Sequence, residues 1–282
     1  MTTQGATDNK ELPLVEASST EGVIENLWTV PVFTNKMEER LWAKNHMAGA
    51  FRVFAKLGLN DGAGGHISLR DPVRSDCFWI NPYRVHFGMI NADDLILVTE
   101  DGVPLTPTRH KVNIAGFRIH AAVHKSRPDV NAAVHTHSPY GRAWSTFGRP
   151  IEMLNQDCCY FYNDLAVYEG FGGVVLGQEE GNRIASSLGR SKNNLILQNH
   201  GILTCGGTVD EAVGYFIALE RACQAQLLVE AAAANGIPKT FVGEEEAAFT
   251  KKNAGTPAVL FAQFQPEYDM IVKETGGEFL SK

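Results

Sequence analysis

The chain has 282 residues, a formal net charge of -7 and a pI of about 5.7. This acidic balance argues against nucleic acid or an anionic membrane as the partner, since both reward a cationic surface. Hydrophobic residues make up 44% of the chain and charged residues 20%, as in an ordinary globular protein. No stretch approaches the roughly 18 consecutive apolar residues of a membrane-spanning helix.

The first residues are polar and have neither the basic start nor the apolar centre of a signal peptide, so we expect a cytoplasmic protein. The odd number of cysteines and the lack of a CxxC spacing argue against a disulfide framework. Buried free thiols in a reducing compartment are expected instead. The five cysteines are Cys77, Cys158, Cys159, Cys205 and Cys223.

The predicted organisation is an arm, one domain and a tail. Residues 1–33 are predicted to be a flexible arm. Residues 34–240 carry the helix and strand patterns of one domain, which at this length can bury a core of its own. Residues 241–282 are predicted to be a C-terminal tail that packs on the domain or on a neighbouring subunit, where its apolar segment AVLFAQF would be covered.

In the first half of the domain, apolar residues at helical spacing predict a helix that starts near Lys36 and ends at Gly58. A glycine-rich turn and the segment HISLRDP follow. CFWINP and LILV (95–98) are predicted strands, and the next helix is predicted from Asn113 to Lys125.

In the second half, the segment NAAVHTHS and the apolar runs 173–176 and 194–198 are predicted strands. Thr208 and Glu211 form a capping-box pattern before a long helix that ends at Gly236. Strands and helices in this order predict an α/β fold, with one layered domain built around a central, mostly antiparallel sheet.

Three histidines form a candidate metal site. His135 and His137 are two residues apart on a predicted strand, so both imidazoles lie on the same face. His200 ends a second predicted strand and precedes Gly201. Three imidazoles with free coordination positions are typical of catalytic zinc sites, and they also suit iron, manganese or cobalt. The spacing alone leaves a chance histidine pair as an equal alternative.

Three segments resemble the class II aldolase/adducin family: GAGGHISLRDP at 62–72, RIHAAVHKSRPDVNAAVHTHSPYGRA at 118–143 and LILQNHGILTCGGTVDEA at 195–212. The resemblance implies a three-layer domain, with helices flanking the central, mostly antiparallel sheet. It also implies one divalent metal ion per chain, zinc first and iron second. Family members are fourfold homotetramers with active sites at subunit interfaces, and we expect the same assembly.

In this resemblance, His135, His137 and His200 match the metal ligands. The acidic residue that moves protons in the sugar-phosphate aldolases falls at Gly116, where this chain has no carboxylate. The small residues that hold phosphate are also replaced, one glycine by Arg84. The sequence therefore predicts a small, non-phosphorylated substrate.

Four residues are candidates for substrate binding: Tyr83, Arg84, His86 and Gln156. Arg84 would clamp a carboxylate, and a solvated surface arginine is the alternative. Tyr83 would stack on an aromatic or apolar substrate, and ordinary packing is the alternative. His86 would line the site beside Arg84.

Three residues are candidates for catalysis: Asp157, His66 and Tyr160. Asp157 would act as a base or as a fourth ligand, or else stabilise a turn. His66 matches a family asparagine in the substrate loop and would bind substrate or shuttle a proton, or else stabilise its turn. Tyr160 would act as an acid, or else pack. His120 is predicted to lie in the core and His124 at the surface.

The favoured function is a metal-dependent lyase. It would carry out an aldol, retro-aldol or decarboxylation reaction on a small hydroxy or keto compound through a metal-stabilised enolate. The segments GHIS, NPY and HTHSPYGRA resemble a subgroup that includes a non-haem Fe(II) oxygenase of secondary metabolism, which acts on an aromatic hydroxy acid. That oxygenase is one alternative. A non-catalytic, adducin-like scaffold is the other, although the adducin branch lacks the metal histidines.

Overall fold

The computed structural model describes residues 28–62, 64–173, 175 and 177–282. Residues 1–27, most of the predicted arm, lie outside the described residues. Residues 28–33 form neither a helix nor a strand, and most of them are exposed. Within the described part of the chain, no helix combines the length and the apolar character needed to cross a membrane.

The described residues form seven α-helices and seven strands. The helices are α1 Lys36–Leu57, α2 Ile114–Ser126, α3 Pro139–Ser145, α4 Gln178–Leu188, α5 Val209–Ala234, α6 Glu244–Ala254 and α7 Pro257–Thr275. The strands are β1 His66–Arg70, β2 Cys77–Ile80, β3 Ile96–Thr99, β4 Ala132–Thr136, β5 Leu165–Tyr168, β6 Asn194–Leu197 and β7 Gly201–Gly206.

The seven strands form one sheet in the order β3-β2-β1-β4-β7-β6-β5. All neighbouring strands are antiparallel except β5 and β6, which are parallel. This confirms the predicted fold class, a mixed α/β domain with a mostly antiparallel central sheet flanked by helices.

The alternation of side chains along β4 separates two helical layers. Ala132 and Val134 belong to the core that also contains residues of α1, α5 and α7. Ala133 belongs to a second core with residues of α2 and α4. His135 follows Ala133 by two residues and therefore lies on the same face, towards α2 and α4. His66 on β1 pairs with His135 in the sheet register. The sheet thus places two histidines side by side on one face.

The predicted helix ends are confirmed. The Asn35 side chain accepts from the backbone N–H of Met37 at the start of α1, and Gly58 ends that helix in the left-handed conformation. The Thr208 side chain accepts from the backbone N–H of Glu211 at the start of α5. Because caps satisfy backbone groups that have no partner inside a helix, they fix helix ends locally.

The C-terminal segment folds into α6 and α7 and packs on its own chain. Leu260, Phe264 and Tyr268 on α7 are buried in the core that α1 and α5 share. AVLFAQF, the apolar segment of the predicted tail, lies within α7.

The predicted strand over 173–176 is wrong. The described residues there, Gly173 and Val175, form no strand, and the edge strand is β5, Leu165–Tyr168, earlier in the chain. Val175 is buried in the core beneath α4 without belonging to the sheet. An apolar run packs equally well as a buried loop or as a strand, so periodicity cannot separate the two.

Candidate metal centre

The three predicted ligands meet at one end of the sheet. His135 lies near the end of β4, His137 one residue beyond it, and His200 in the turn between β6 and β7. Each offers one nitrogen, and these nitrogens all lie within 4.8 Å of one another. The Nε2 atoms of His137 and His200 are 3.0 Å apart. The geometry therefore places three imidazole nitrogens around one point, as a metal-binding triad requires.

The local sequence around His200 explains this placement. Asn199 has φ 57°, in the left-handed region that asparagine tolerates better than most residues. It forms the tight turn that brings His200 back beside β4. A Cβ atom at Gly201 would lie 3.1 Å from the backbone oxygen of Thr136, so glycine permits the close approach of the two strands. Asn199 thus acts through the backbone of the turn.

Hydrogen bonding leaves a lone pair free on His135. Its Nδ1 donates to the backbone oxygen of Ile202 at 2.8 Å, so its Nε2 carries no proton. That Nε2 is buried and has no hydrogen-bond partner among the described residues. A metal-binding histidine normally donates its other N–H to an acceptor of this kind. The donor set and the free Nε2 therefore fit a divalent cation.

The protonation states of the triad favour metal binding. Burial holds the pKa of His135 well below its usual value, and the neighbouring histidines lower it further. Burial and the nearby His137 lower the pKa of His200 to about 4. Burial also lowers the pKa of His137. All three imidazoles are therefore neutral at pH 7, the form that can coordinate a metal.

The triad opens into a pocket of about 310 Å³. Its described lining contains no carboxylate, and its only side chain with a permanent positive charge is that of Arg142. The lining residues are Gly64, Gly65, His66, Asn113, Ala115, Gly116, Ile119, His135, His137, Arg142, Phe171, Gly173, Val175, Asn199 and His200.

His66 is the one predicted catalytic residue that lines this pocket. The Oδ1 of Asn113 accepts from the backbone N–H of Gly116, so its Nδ2 donates to the Nε2 of His66 at 2.9 Å. The proton of His66 is therefore on Nδ1, which is buried and has no partner among the described residues. Burial, followed by the nearby His120, holds the pKa of His66 well below its usual value.

The predicted substrate-binding residues on the loop after β2 lie outside the pocket lining. Arg84 is exposed, has φ 65° and lies over the ring of Tyr83. His86 is exposed, and its Nδ1 accepts from the backbone N–H of Gly88 at the start of a short 3₁₀ helix. Within one chain these residues therefore have local structural contacts.

The other predicted residues, Gln156, Asp157 and Tyr160, are also absent from the lining of the pocket. Gln156 and Asp157 are exposed, beside the short 3₁₀ helix Cys158–Phe161. Tyr160 is buried in the main core, and burial raises the pKa of its hydroxyl. One chain therefore does not bring these three residues to the histidines.

Sequence reasoning missed Asn113, Arg142 and Phe171 as pocket residues. Arg142 lies on α3, five residues after His137 in the segment HTHSPYGRA. A helix that starts immediately after a metal-binding strand keeps its first turn near the metal, and this was the available signal. Phe171 carried no such signal, because the loop that holds it has no regular pattern.

His120 and His124 form a separate buried cluster with Ser68. The Ser68 hydroxyl lies 2.7 Å from the Nδ1 of His120 and 2.8 Å from the Nε2 of His124. The prediction that His124 lies at the surface is wrong, since its side chain is 1% exposed and stacks on Phe78. Burial lowers the pKa of each imidazole to about 3.

The sequence profile of the class II aldolase and adducin N-terminal domain matches residues 45–227. This region is more than half of the chain, and the chain belongs to the class II aldolase/adducin family. The solved structure named L-fuculose 1-phosphate aldolase from Glaciozyma antarctica superimposes with a TM-score of 0.81 and is 38% identical. The match covers 89% of this chain and 97% of that one.

Three curated relatives are similar over nearly their whole length. Meiotically up-regulated gene 14 protein of Schizosaccharomyces pombe is 41% identical over 88% of this chain and 96% of its own. Decarboxylase NovR of Streptomyces niveus is 40% identical, over 85% and 87%. A 4-hydroxy-3-prenylphenylpyruvate oxygenase/4-hydroxy-3-prenylbenzoate synthase of Streptomyces roseochromogenus is 39% identical, over 85% of each chain.

Proposed function

We propose that this protein is a metal-dependent lyase that breaks or forms a C–C bond in a small, non-phosphorylated hydroxy or keto compound. The observation that carries the proposal is the convergence of the nitrogens of His135, His137 and His200 in an open pocket. Aldol, retro-aldol and decarboxylation reactions all fit this site. The relative named as a decarboxylase supports the last of these.

Zn²⁺ is the proposed ion, one per chain, and Fe²⁺ is the second choice. The bound cation would supply Lewis-acid stabilisation of the negative charge that develops on substrate oxygens as the C–C bond breaks. The chain contributes neutral imidazoles, the hydrogen bond from His135 to Ile202 that orients one of them, and a pocket that admits substrate.

His66 is the residue that we propose acts on the substrate in place of the missing carboxylate. His66 lines the pocket, its Nε2 contacts Asn113, and its buried Nδ1–H has no partner among the described residues, so we propose that this N–H turns to the substrate when one is bound. Such a donor binds a substrate oxygen and favours the form with more negative charge on it. The pocket lining offers no carboxylate for this task among its described residues.

Asp157 and Gln156 remain proposals that depend on a second subunit, because both are exposed. Tyr160 is buried in the main core of its own chain and is not proposed to act in a neighbour's pocket. We propose a homotetramer in which Asp157 and Gln156 approach a neighbour's pocket, since the family resemblance implies active sites at subunit interfaces. The five free cysteines are all buried, which suits the proposed cytoplasmic location. The solution mass measured by light scattering tests the assembly.

A sugar phosphate is the competing substrate, since the solved structure described above is named as a sugar-phosphate aldolase. Against it stands Gly116 at the position of the family's acidic residue. The positions of the family's phosphate-binding residues also hold other residues, including Arg84. We therefore propose a substrate without phosphate.

An Fe²⁺-dependent oxygenase is the second candidate function. One specific observation favours it, namely the 39% identical relative that is named as an oxygenase. The three histidines leave positions for both O2 and substrate, although a carboxylate ligand is more common at such iron sites. Oxygen uptake during turnover separates this reaction from the lyase.

The metal content of protein purified anaerobically without chelator tests the proposal. We expect about one zinc per chain in the wild type, and loss of that zinc in the variants His135→Ala, His137→Ala and His200→Ala. His86→Ala is the matched control, because its imidazole is exposed and lies outside the pocket. Iron in place of zinc would favour the oxygenase. Wild-type protein without metal would refute the lyase and favour the scaffold.

A further inference from the structure

Arg142 gives the histidine pocket a permanent positive charge. It is the one Lys or Arg side chain in the described lining, and the lining contains no Asp or Glu. Its charge adds to that of a cation held by the three histidines. A pocket with this balance favours an anion, because opposite charges attract.

The backbone position of Arg142 is fixed by a buried carboxylate that bonds to the start of its helix. Glu220 on α5 is 4% exposed and accepts from the hydroxyl of Ser138 at 2.5 Å. It also accepts from the backbone N–H groups of Tyr140 and Gly141, at 2.8 Å and 2.7 Å. These bonds hold the first turn of α3 against α5. The backbone of Arg142 on that helix is therefore held at a set place relative to the histidines.

The ion pair that Arg142 makes within the chain is weak. One guanidinium nitrogen lies 3.0 Å from the Oδ2 of Asp61, and both side chains are about half exposed, at 53% and 51%. Exposed ion pairs of this kind contribute little to stability. A carboxylate that enters the pocket can take the place of Asp61 at small cost. A planar guanidinium suits such a ligand, because it can donate two parallel hydrogen bonds to one carboxylate.

One part of the pocket wall is apolar. Ile119 and Val175 are buried in the wall, and Phe171 lies near them with 57% of its side chain exposed. An exposed aromatic ring in the wall of a pocket gains by covering an apolar ligand. The wall therefore suits a ligand with an apolar body beside its charged group.

We propose that Arg142 is the anion-binding residue of this pocket, and that it takes the carboxylate of an organic acid with an apolar body in exchange for Asp61. This inference rests on the proposed function, whose substrate class it names. Arg142 thereby takes the place of Arg84 as the arginine proposed to bind the substrate carboxylate.

Calorimetric titration of metal-loaded protein with two matched probes tests the inference. Mandelate has a carboxylate, an α-hydroxyl and a phenyl ring, and mandelamide is its neutral counterpart. Wild-type protein should bind mandelate at least about tenfold more tightly than mandelamide. Arg142→Gln should remove this preference, and Arg142→Lys should restore part of it.

Two further variants complete the test. Arg84→Gln is the control, an exposed arginine outside the pocket, and it should keep the preference for mandelate. Asp61→Asn should tighten mandelate binding by a few-fold, because the competing carboxylate is gone. A preference that survives Arg142→Gln, or wild-type protein that binds neither probe, would overturn the inference.

The same titration with benzoate and benzamide on metal-free protein separates the two proposals. Loss of the benzoate preference in Arg142→Gln would support the anion site even if the wild type held no metal. Metal bound by the triad, together with a preference that does not depend on Arg142, would leave the lyase standing and remove the inference.

Discussion

A Cβ atom at Gly116 would lie within 2.5 Å of three ring atoms of His66. Real Cβ atoms essentially never approach other atoms so closely, so residue 116 must be glycine while the imidazole keeps this place. The absence of an acidic side chain at 116 and the presence of His66 are therefore one coupled feature. The imidazole fills the space in which a side chain at 116 would begin.

A double-mutant cycle on stability measures this coupling. Gly116→Ala should lower the free energy of unfolding of the wild type by about 1–3 kcal/mol, because it overfills the packed site. In the His66→Ala background the same change should raise it by about 0.5–1 kcal/mol, since alanine is the better helix former. Urea denaturation of the four proteins gives the coupling energy.

The control for this cycle is Gly181→Ala on α4. Its new Cβ atom would lie 2.8 Å from the backbone oxygen of Arg118, away from His66. It should destabilise both backgrounds equally, because its clash does not involve the imidazole. Equal effects of Gly116→Ala in both backgrounds would show that His66 and Gly116 are independent.

The presence of Gly116 and His66 in place of an acidic side chain also predicts a compound that this protein does not cleave. L-fuculose 1-phosphate should give no detectable retro-aldol products with metal-loaded protein, because the described residues of the pocket lining offer no carboxylate to move the proton. Phosphorus NMR of the reaction mixture checks this, with an active sugar-phosphate aldolase as the positive control. Cleavage that disappears in His137→Ala would contradict the proposed substrate class.

The sequence was informative where local chemistry decides the structure. The alternation of strand residues predicted that His135 and His137 share a face, and the register of β4 against β1 and β7 places them at the end of the sheet. The capping pattern at Thr208 predicted a helix start, because a side chain and a backbone group within three residues form the contact. To predict the triad from the sequence, only such local patterns and the pairing of neighbouring strands were needed.

The rest of the pocket depends on contacts between distant segments, which a single sequence does not encode in any local pattern. The contact between His66 and Asn113 joins residues 47 positions apart. The bonds from α3 to Glu220 span about 80 positions. The sequence offered no local signal to separate Arg84 from Arg142 as the residue that binds a substrate carboxylate. Within one chain, only the fold shows that Arg142 lines the pocket and that Arg84 lies outside it.

Glu220 should influence the metal site although it does not line the pocket. In Glu220→Gln, an amide N–H₂ group would face hydrogen-bond donors that a carboxylate accepts from in the wild type, namely Ser138, Tyr140 and Gly141. Because a donor cannot accept these bonds, the change should lower the free energy of unfolding by about 2 kcal/mol. Metal affinity should fall by about tenfold, because Ser138 follows His137 directly and loses its anchor. Chelator competition measures the affinity, and denaturation measures the stability.

Glu230→Gln on the same helix is the matched control for this change. Its carboxylate makes partly exposed ion pairs with Lys239 and Arg149. Such pairs contribute little to stability, so stability should change little and metal affinity not at all. Equal losses of metal affinity in both variants would argue against a special role for Glu220.

The buried cluster of His120, His124 and Ser68 predicts acid sensitivity. Burial lowers the pKa of both imidazoles to about 3, while the unfolded chain titrates near 6.5. Between these values the unfolded state binds more protons, so the free energy of unfolding falls as the pH falls. Each of the two histidines should lower the free energy of unfolding by about 1.4 kcal/mol between pH 7.5 and pH 5.5. The free energy of unfolding should fall further down to about pH 3.

Urea denaturation at several pH values, with chelator present to remove metal effects, measures this loss. His124→Gln should flatten the dependence by the share of one histidine, since glutamine can bond to Ser68 and Val130 without titrating. His110→Gln is the control, a matched exchange outside the buried cluster, at a half-buried ring that makes no hydrogen bond among the described residues. A flattening that both variants share would not come from the cluster. A slope that His124→Gln leaves unchanged would mean that the buried imidazole is already protonated in the folded protein. In that case, the hydrogen bond between the Nδ1 of His124 and the backbone oxygen of Val130 would have to be joined by a second one in which the Nε2 donates to the Ser68 hydroxyl.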